Sequence, residues 1–206
     1  MDKSLDGRVA LITGASRGIG RAVALALAGV EEGDEVLMPS LTFVATANAA
    51  VYCRAVPHFV DSDETSLGID PVRLGAYLEE MAEMTDGVAR NRNTDRRLAA
   101  LIPMHTFGHP VDMDRLNDVA ACWNIPVVED AAESLGSTYK GRPAGSLGKL
   151  AALSFNGNKI VTTGGIFATA GTIITRDYIR EGGRGRRTVQ LAVDSPMVQI
   201  FAAMFA

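Results

Sequence analysis

Two stretches of this 206-residue chain leave an ionisable side chain where a β-sheet would present it to a ligand. In PVVEDAAESLG (126–136), the β-branched Val127 and Val128 follow a proline and read as a short buried strand, so Asp130 falls at its carboxyl end. In AALSFNGNKIVTTGG (151–165), a second apolar segment ends near Ser154 and runs through Asn156, Gly157 and Asn158 to Lys159. Ligands of doubly wound sheets sit outside the carboxyl ends of the strands. A lysine there that is partly desolvated or near another cation has its pKa drawn toward neutrality, where it can carry protons. Each residue also has a plainer role. Asp is a favoured helix N-cap, the commoner use on residue type alone, and a lysine in a turn-rich loop is ordinarily solvated.

A third candidate lies near the start. Residues 8–13, RVALIT, read as a strand, followed by a glycine turn from Gly14 to Gly20 and helix-like residues 21–28. Strand, glycine turn and helix N-terminus can cradle a phosphate, because glycines admit close backbone approach and the helix start offers unpaired N–H groups. The stretch LDGRVALITGASRGIGRAVALALA is similar to the opening of short-chain dehydrogenases, which implies NADP as an alternative cofactor and a nicotinamide-dependent oxidoreductase as an alternative function. That family's Tyr-x-x-x-Lys pair is missing, since no tyrosine stands four residues before Lys3, Lys140, Lys149 or Lys159. The acidic residue expected about twenty positions past the glycines is missing too; that region reads Leu37-Met38-Pro39-Ser40.

A longer resemblance covers residues 29–165. GVEEGDEVLMPSLTFVATANAA (29–50), AVPHFVDSD (55–63), IPMHTFGHPVDMD (102–114), EDAAESLG and the Ser-Phe-x-x-Asn-Lys-x-x-Thr-Thr-Gly run stand in order. Together they resemble the DegT-type sugar aminotransferases, which are pyridoxal-phosphate-dependent enzymes of fold type I. The resemblance implies pyridoxal 5'-phosphate as cofactor, with a nucleotide-linked keto sugar and an amino acid such as glutamate as substrates. It implies Lys159 as the catalytic amine and proton carrier, and Asp130 as the carboxylate that keeps the pyridine nitrogen protonated. Phe43 would stack on the ring, Ser154 and Asn158 would donate to the phosphate, and His105 would lie near the cofactor. Glu133, at a position often occupied by glutamine, would sit by the phenolic oxygen. The family's phosphate turn falls at the offset of residues 15–18, so Ser16 and Gly18 are candidates for that role. The family's members are homodimers nearly twice this length, with a C-terminal domain that closes over substrate, so the chain reads as a truncated large domain, and a non-catalytic α/β domain stands as a further alternative.

The composition is 47% hydrophobic and 21% charged, ordinary for a globular chain that buries a core. A formal net charge of -4 gives no general attraction to nucleic acid or an anionic membrane. The start shows no secretion signal and no apolar run nears the roughly 20 residues needed to cross a bilayer. Two cysteines, Cys53 and Cys122, make no disulfide framework, and a cytoplasmic location is expected. His58, His105 and His109 have no metal-ligand spacing, so no metal is expected.

Strands expected near 9–13, 34–38, 55–60, 99–104, 126–130 and 152–155 alternate with helices. They predict a three-layer α/β/α doubly wound, mostly parallel sheet. Residues 42–53 read as a helix of small residues. Asp70 and Pro71 cap and open a helix through Met81, and residues 112–123 form a third. Residues 84–97 read as a solvated loop, 168–175 as strand-like, the five arginines of 176–187 as a solvated face and 196–205 as a short apolar helix. The expected division is a cofactor-binding domain over 1–165, opened by the strand and helix of 1–28, and an extension over 166–206. Asp130, Lys159 and the 15–20 loop should gather at one sheet edge.

Overall fold

The structure, a computed structural model, describes residues 25, 26 and 28–154 and the backbone of a strand at 171–175. β1 (Glu35–Pro39) pairs in parallel with β2 (Val56–Val60) on one side and β5 (Leu98–Leu101) on the other. β5 continues to β6 (Val128–Asp130) through the parallel bridges Leu101 to Val127 and Met104 to Asp130. β9 (Leu150–Ser154) runs parallel to β6, and β10 (Gly171–Thr175) closes this edge antiparallel to β9. The spatial order is therefore β2-β1-β5-β6-β9-β10, a mostly parallel sheet.

Every residue of β1, β6 and β9 is buried, as expected of strands covered on both faces. Leu37, Leu101 and Val127 face one cluster with α2 (Pro71–Met81) and α3 (Met113–Cys122), which supply Leu74, Leu78, Met113 and Leu116. Val36, Met38, Val128 and Leu150 face the other with Ala49 and Ala50 of α1 (Val44–Tyr52). Sequence dictates each helix locally. Asp70 accepts from the backbone N–H of Val72 and Arg73, and Pro71 opens α2 where its missing N–H costs nothing. Asp112 likewise accepts from Arg115 N–H at the start of α3. In α1 the alanines and Thr46 bury a narrow stripe that lets the helix sit close on the sheet.

The expected loop over 84–97 is largely something else. β3 (Ala82–Thr85) and β4 (Val88–Asn91) form a hairpin whose turn residues, Asp86 (φ 52°) and Gly87 (φ 77°), both adopt positive φ. Asp-Gly is the pair such a two-residue turn favours. The chain beyond the hairpin is not merely solvated either. Glu35, 3% exposed, accepts from Asn91 Nδ2 (2.9 Å) and Thr94 Oγ1 (2.6 Å), and Arg97 donates to Asp34. Two acids at the buried start of β1 need donors, and this segment supplies them. The 137–149 connection holds a second, smaller hairpin of β7 (Thr138–Tyr139) and β8 (Arg142–Pro143). The strand expected at 9–13, the arginine-rich 176–187 and the helix at 196–205 lie outside the described residues.

Candidate active site at the carboxyl edge of the sheet

Glu129 and Asp130 are the last residues of β6, and strand alternation turns them to opposite faces. Asp130, 1% exposed, points into the α1 layer. Its Oδ2 accepts from Thr46 Oγ1 at 2.6 Å and its Oδ1 from Ala132 N–H at 3.3 Å. Its backbone N–H bonds Pro103 O at 2.8 Å, and its carbonyl accepts from His105 N–H at 3.2 Å. The carboxylate is thus built into the ends of two strands and the first turn of a helix.

Glu129, fully buried, points into the α2 and α3 layer. Its Oε2 accepts from Gly145 N–H (2.8 Å) and its Oε1 from Leu147 N–H (2.6 Å) and Gly148 N–H (2.5 Å). The fourth partner is His105 Nε2 at 3.0 Å, while His105 Nδ1 faces the N–H of Val111 at 3.4 Å. An N–H facing Nδ1 makes that nitrogen the acceptor, so the proton sits on Nε2 and is donated to Glu129. Gly148 is required here. A Cβ on it would come within 2.9 Å of Val127 O and 3.2 Å of Glu129 Cγ.

The expected site residues divide accordingly. Ser154 ends β9, and because Asp130 is in register with Ala152, Ser154 lies one step further along the face that Asp130 occupies. Phe43 occupies the N-cap position of α1, three residues before Thr46, with 55% of its surface exposed. Glu133 accepts from Phe107 N–H at 3.2 Å in the loop beyond β6. His105 is turned to Glu129, on the other face of the sheet from Asp130. Lys159, Asn158, Ser16 and Gly18 lie outside the described residues. Among the described residues no cluster of His, Cys, Asp or Glu could hold a metal, and no helix is long and apolar enough to cross a membrane.

Two residues that sequence reasoning did not single out do much of the positioning. Thr46 is the one polar residue on the buried stripe of α1, a signal that was available. Glu129 is a charge inside a buried strand, a rare placement that calls for paired donors.

A mostly parallel sheet with helices on both faces and a pinned carboxylate at a strand's carboxyl end defines a doubly wound α/β protein, a class whose ligands sit at that edge. The sequence pattern of the DegT/DnrJ/EryC1/StrS aminotransferase family matches residues 7–181, and the chain belongs to that family. Its architecture is that of the fold type I aminotransferases. The chain is 41% identical over 155 residues to GDP-perosamine synthase of Caulobacter vibrioides, covering 75% of this chain and 36% of that one. To UDP-2-acetamido-2-deoxy-3-oxo-D-glucuronate aminotransferase of Pseudomonas aeruginosa it is 33% identical over 194 residues, covering 84% and 49%. Among solved structures, NtdA from Bacillus subtilis with bound cofactor PMP superposes with a TM-score of 0.65 at 28% identity, covering 82% of this chain and 33% of that one. The chain thus spans less than half the length of each protein it matches here. The matched span starts at residue 7 and so takes in the glycine-rich 14–20 stretch that resembles a dehydrogenase loop.

Proposed function

We propose that this chain is the cofactor-binding part of a pyridoxal-phosphate-dependent aminotransferase that moves an amino group from an amino acid such as glutamate to a nucleotide-linked keto sugar. The observation that carries the reading is Asp130. A buried carboxylate on the last residue of a strand, oriented by a hydroxyl and an N–H, fits a protonated pyridine nitrogen, which needs one fixed anionic acceptor. When bound, pyridoxal phosphate supplies an electron sink that makes a carbon-bound proton of the substrate removable. The remaining work belongs to the chain. Asp130 holds the ring nitrogen's proton, a charge-assisted bond of roughly 1.5–3 kcal/mol. Phe43 covers a ring face, which its exposure at the N-cap of α1 supports. Ser154 and Asn158 donate to the phosphate, with Ser16 and Gly18 at the glycine turn. Lys159 is the amine that takes up and returns the proton at the reacting carbon. Glu133 stands beside the phenolic oxygen, and His105 holds β6 from behind through Glu129.

The sugar-nucleotide substrate is supported by relatives named as a GDP-perosamine synthase and a UDP-linked oxo-glucuronate aminotransferase. A cytoplasmic homodimer belongs to the same reading. The exposed Val51, Tyr52 and Phe59 are apolar surface that a second subunit would cover. Residues 1–165 form the cofactor unit and 166–206 an extension.

Adding pyridoxal phosphate to the chain should produce an absorption band in the near-ultraviolet to blue that is absent in Lys159→Ala. Borohydride reduction followed by peptide mapping should fix the cofactor on Lys159. A wild-type chain that gains no chromophore would sink the proposal.

A further inference from the structure

We infer that Thr46 is a positioning residue that sets Asp130 for the cofactor's ring nitrogen and locks the aromatic Phe43 into the same rigid unit. The inference rests on the pyridoxal-phosphate reading above. Thr46 is fully buried, and its Oγ1 lies 2.6 Å from Asp130 Oδ2 across 84 residues of sequence. A helical threonine commonly returns its hydroxyl to a carbonyl one turn back. Here the hydroxyl is aimed across the layer at the carboxylate.

The bond is one of a pair. Thr42 Oγ1 donates to Met104 Sδ at 3.3 Å, and Met104 is the bridge partner of Asp130. Residues 42 to 46 are therefore stitched to the carboxyl ends of two neighbouring strands. Phe43 lies between the two stitches, and its carbonyl accepts from Thr46 N–H at 2.9 Å. A buried carboxylate with one oxygen tied to Thr46 has a defined rotation about its Cβ–Cγ bond, and that rotation decides how its lone pairs meet a ligand proton. Ring stacking and ring-nitrogen binding are in this way set by one element.

The test uses the full chain and two probes: pyridoxal phosphate, and its 1-deaza analogue, which carries C–H in place of the ring nitrogen. Thr46→Ser should bind pyridoxal phosphate within about twofold of wild type, and Thr46→Val about tenfold more weakly. Toward the deaza analogue wild type and Thr46→Val should be equal, because no nitrogen remains for Asp130 to meet and valine keeps the backbone N–H that bonds Phe43 O. If Thr46→Val does not fold by circular dichroism, Thr46→Cys, with a weak donor, is compared with Thr46→Ser in the same way. Equal losses for both probes would assign Thr46 a purely structural role and overturn the inference. Tight pyridoxal-phosphate binding by Thr46→Val would overturn it while leaving the cofactor reading intact. A wild-type chain that binds neither probe would overturn both.

Discussion

Two adjacent carboxylates at the end of β6 do different work because strand parity sends them to different layers. Glu129 is saturated by three backbone N–H groups of the 145–148 turn and by His105, which marks it as the anchor of that turn. Replacing it with glutamine keeps the shape but places an NH2 against an N–H donor. Glu129→Gln should therefore lower stability by about 1–3 kcal/mol, read as a shift in the urea midpoint with unchanged slope. An unchanged midpoint would show that the turn does not depend on this anchor. Asp130 was legible in the sequence, because a carboxylate after two β-branched residues can stand beyond a strand end. Its partner was not. Nothing in VATANAAVY says that Thr46 meets a residue 84 positions later.

At the scale of elements, local chemistry decides most boundaries. Helix α2 spans Pro71–Met81 as Asp70, Pro71 and the apolar spacing indicate, and Asp70 caps two N–H groups. Asp70→Ala should cost about 1 kcal/mol and shift the melting temperature by roughly 2–4 °C for a domain of this size. Calorimetry that finds no change would mean that water replaces the cap without loss. The β3–β4 hairpin offers a second case. Gly87 holds φ 77° and an added Cβ would meet nothing within 4 Å, so the cost of Gly87→Ala is the backbone conformation alone. That cost is about 1–2 kcal/mol, measurable by thermal unfolding, and a neutral result would refute the backbone account. This hairpin was readable from Asp86-Gly87, but the polar run that follows it masked the signal.

Over the whole molecule, the start of β1 ties the sheet to the segment that follows the hairpin. Burial pushes the Glu35 carboxyl up, but donors from Asn91, Thr94 and His58, with the charge of His58, outweigh it and hold the pKa below its ordinary 4.5. A carboxylate whose folded pKa is depressed adds stability that is complete above its unfolded value and fades as the pH falls through the folded one. Stability should therefore drop with acid below about pH 4.5, the ordinary carboxylate range. Asp63, held low by its own turn, contributes with the same sign. Glu35→Gln should flatten that limb in pH-dependent urea melts, and an unaltered acid limb would remove Glu35 from the account.

The strands of the main sheet among the described residues, the helices α1 to α3, the cap Asp70, the strand-end placement of Asp130 and the family resemblance were written in local order. Periodicity, β-branching and capping act over a few residues and need no knowledge of the fold. What only the tertiary structure decided were the long-range pairings. His105 faces Glu129 rather than Asp130 because the two acids alternate across the sheet. Thr46 reaches Asp130 because α1 packs on the face that Val128 and Leu150 share. Glu35 finds Asn91 and Thr94 because β5 pairs beside β1 and brings the preceding segment with it. Each of these depends on strand order and register, and a buried polar group accepts whichever donor that register delivers.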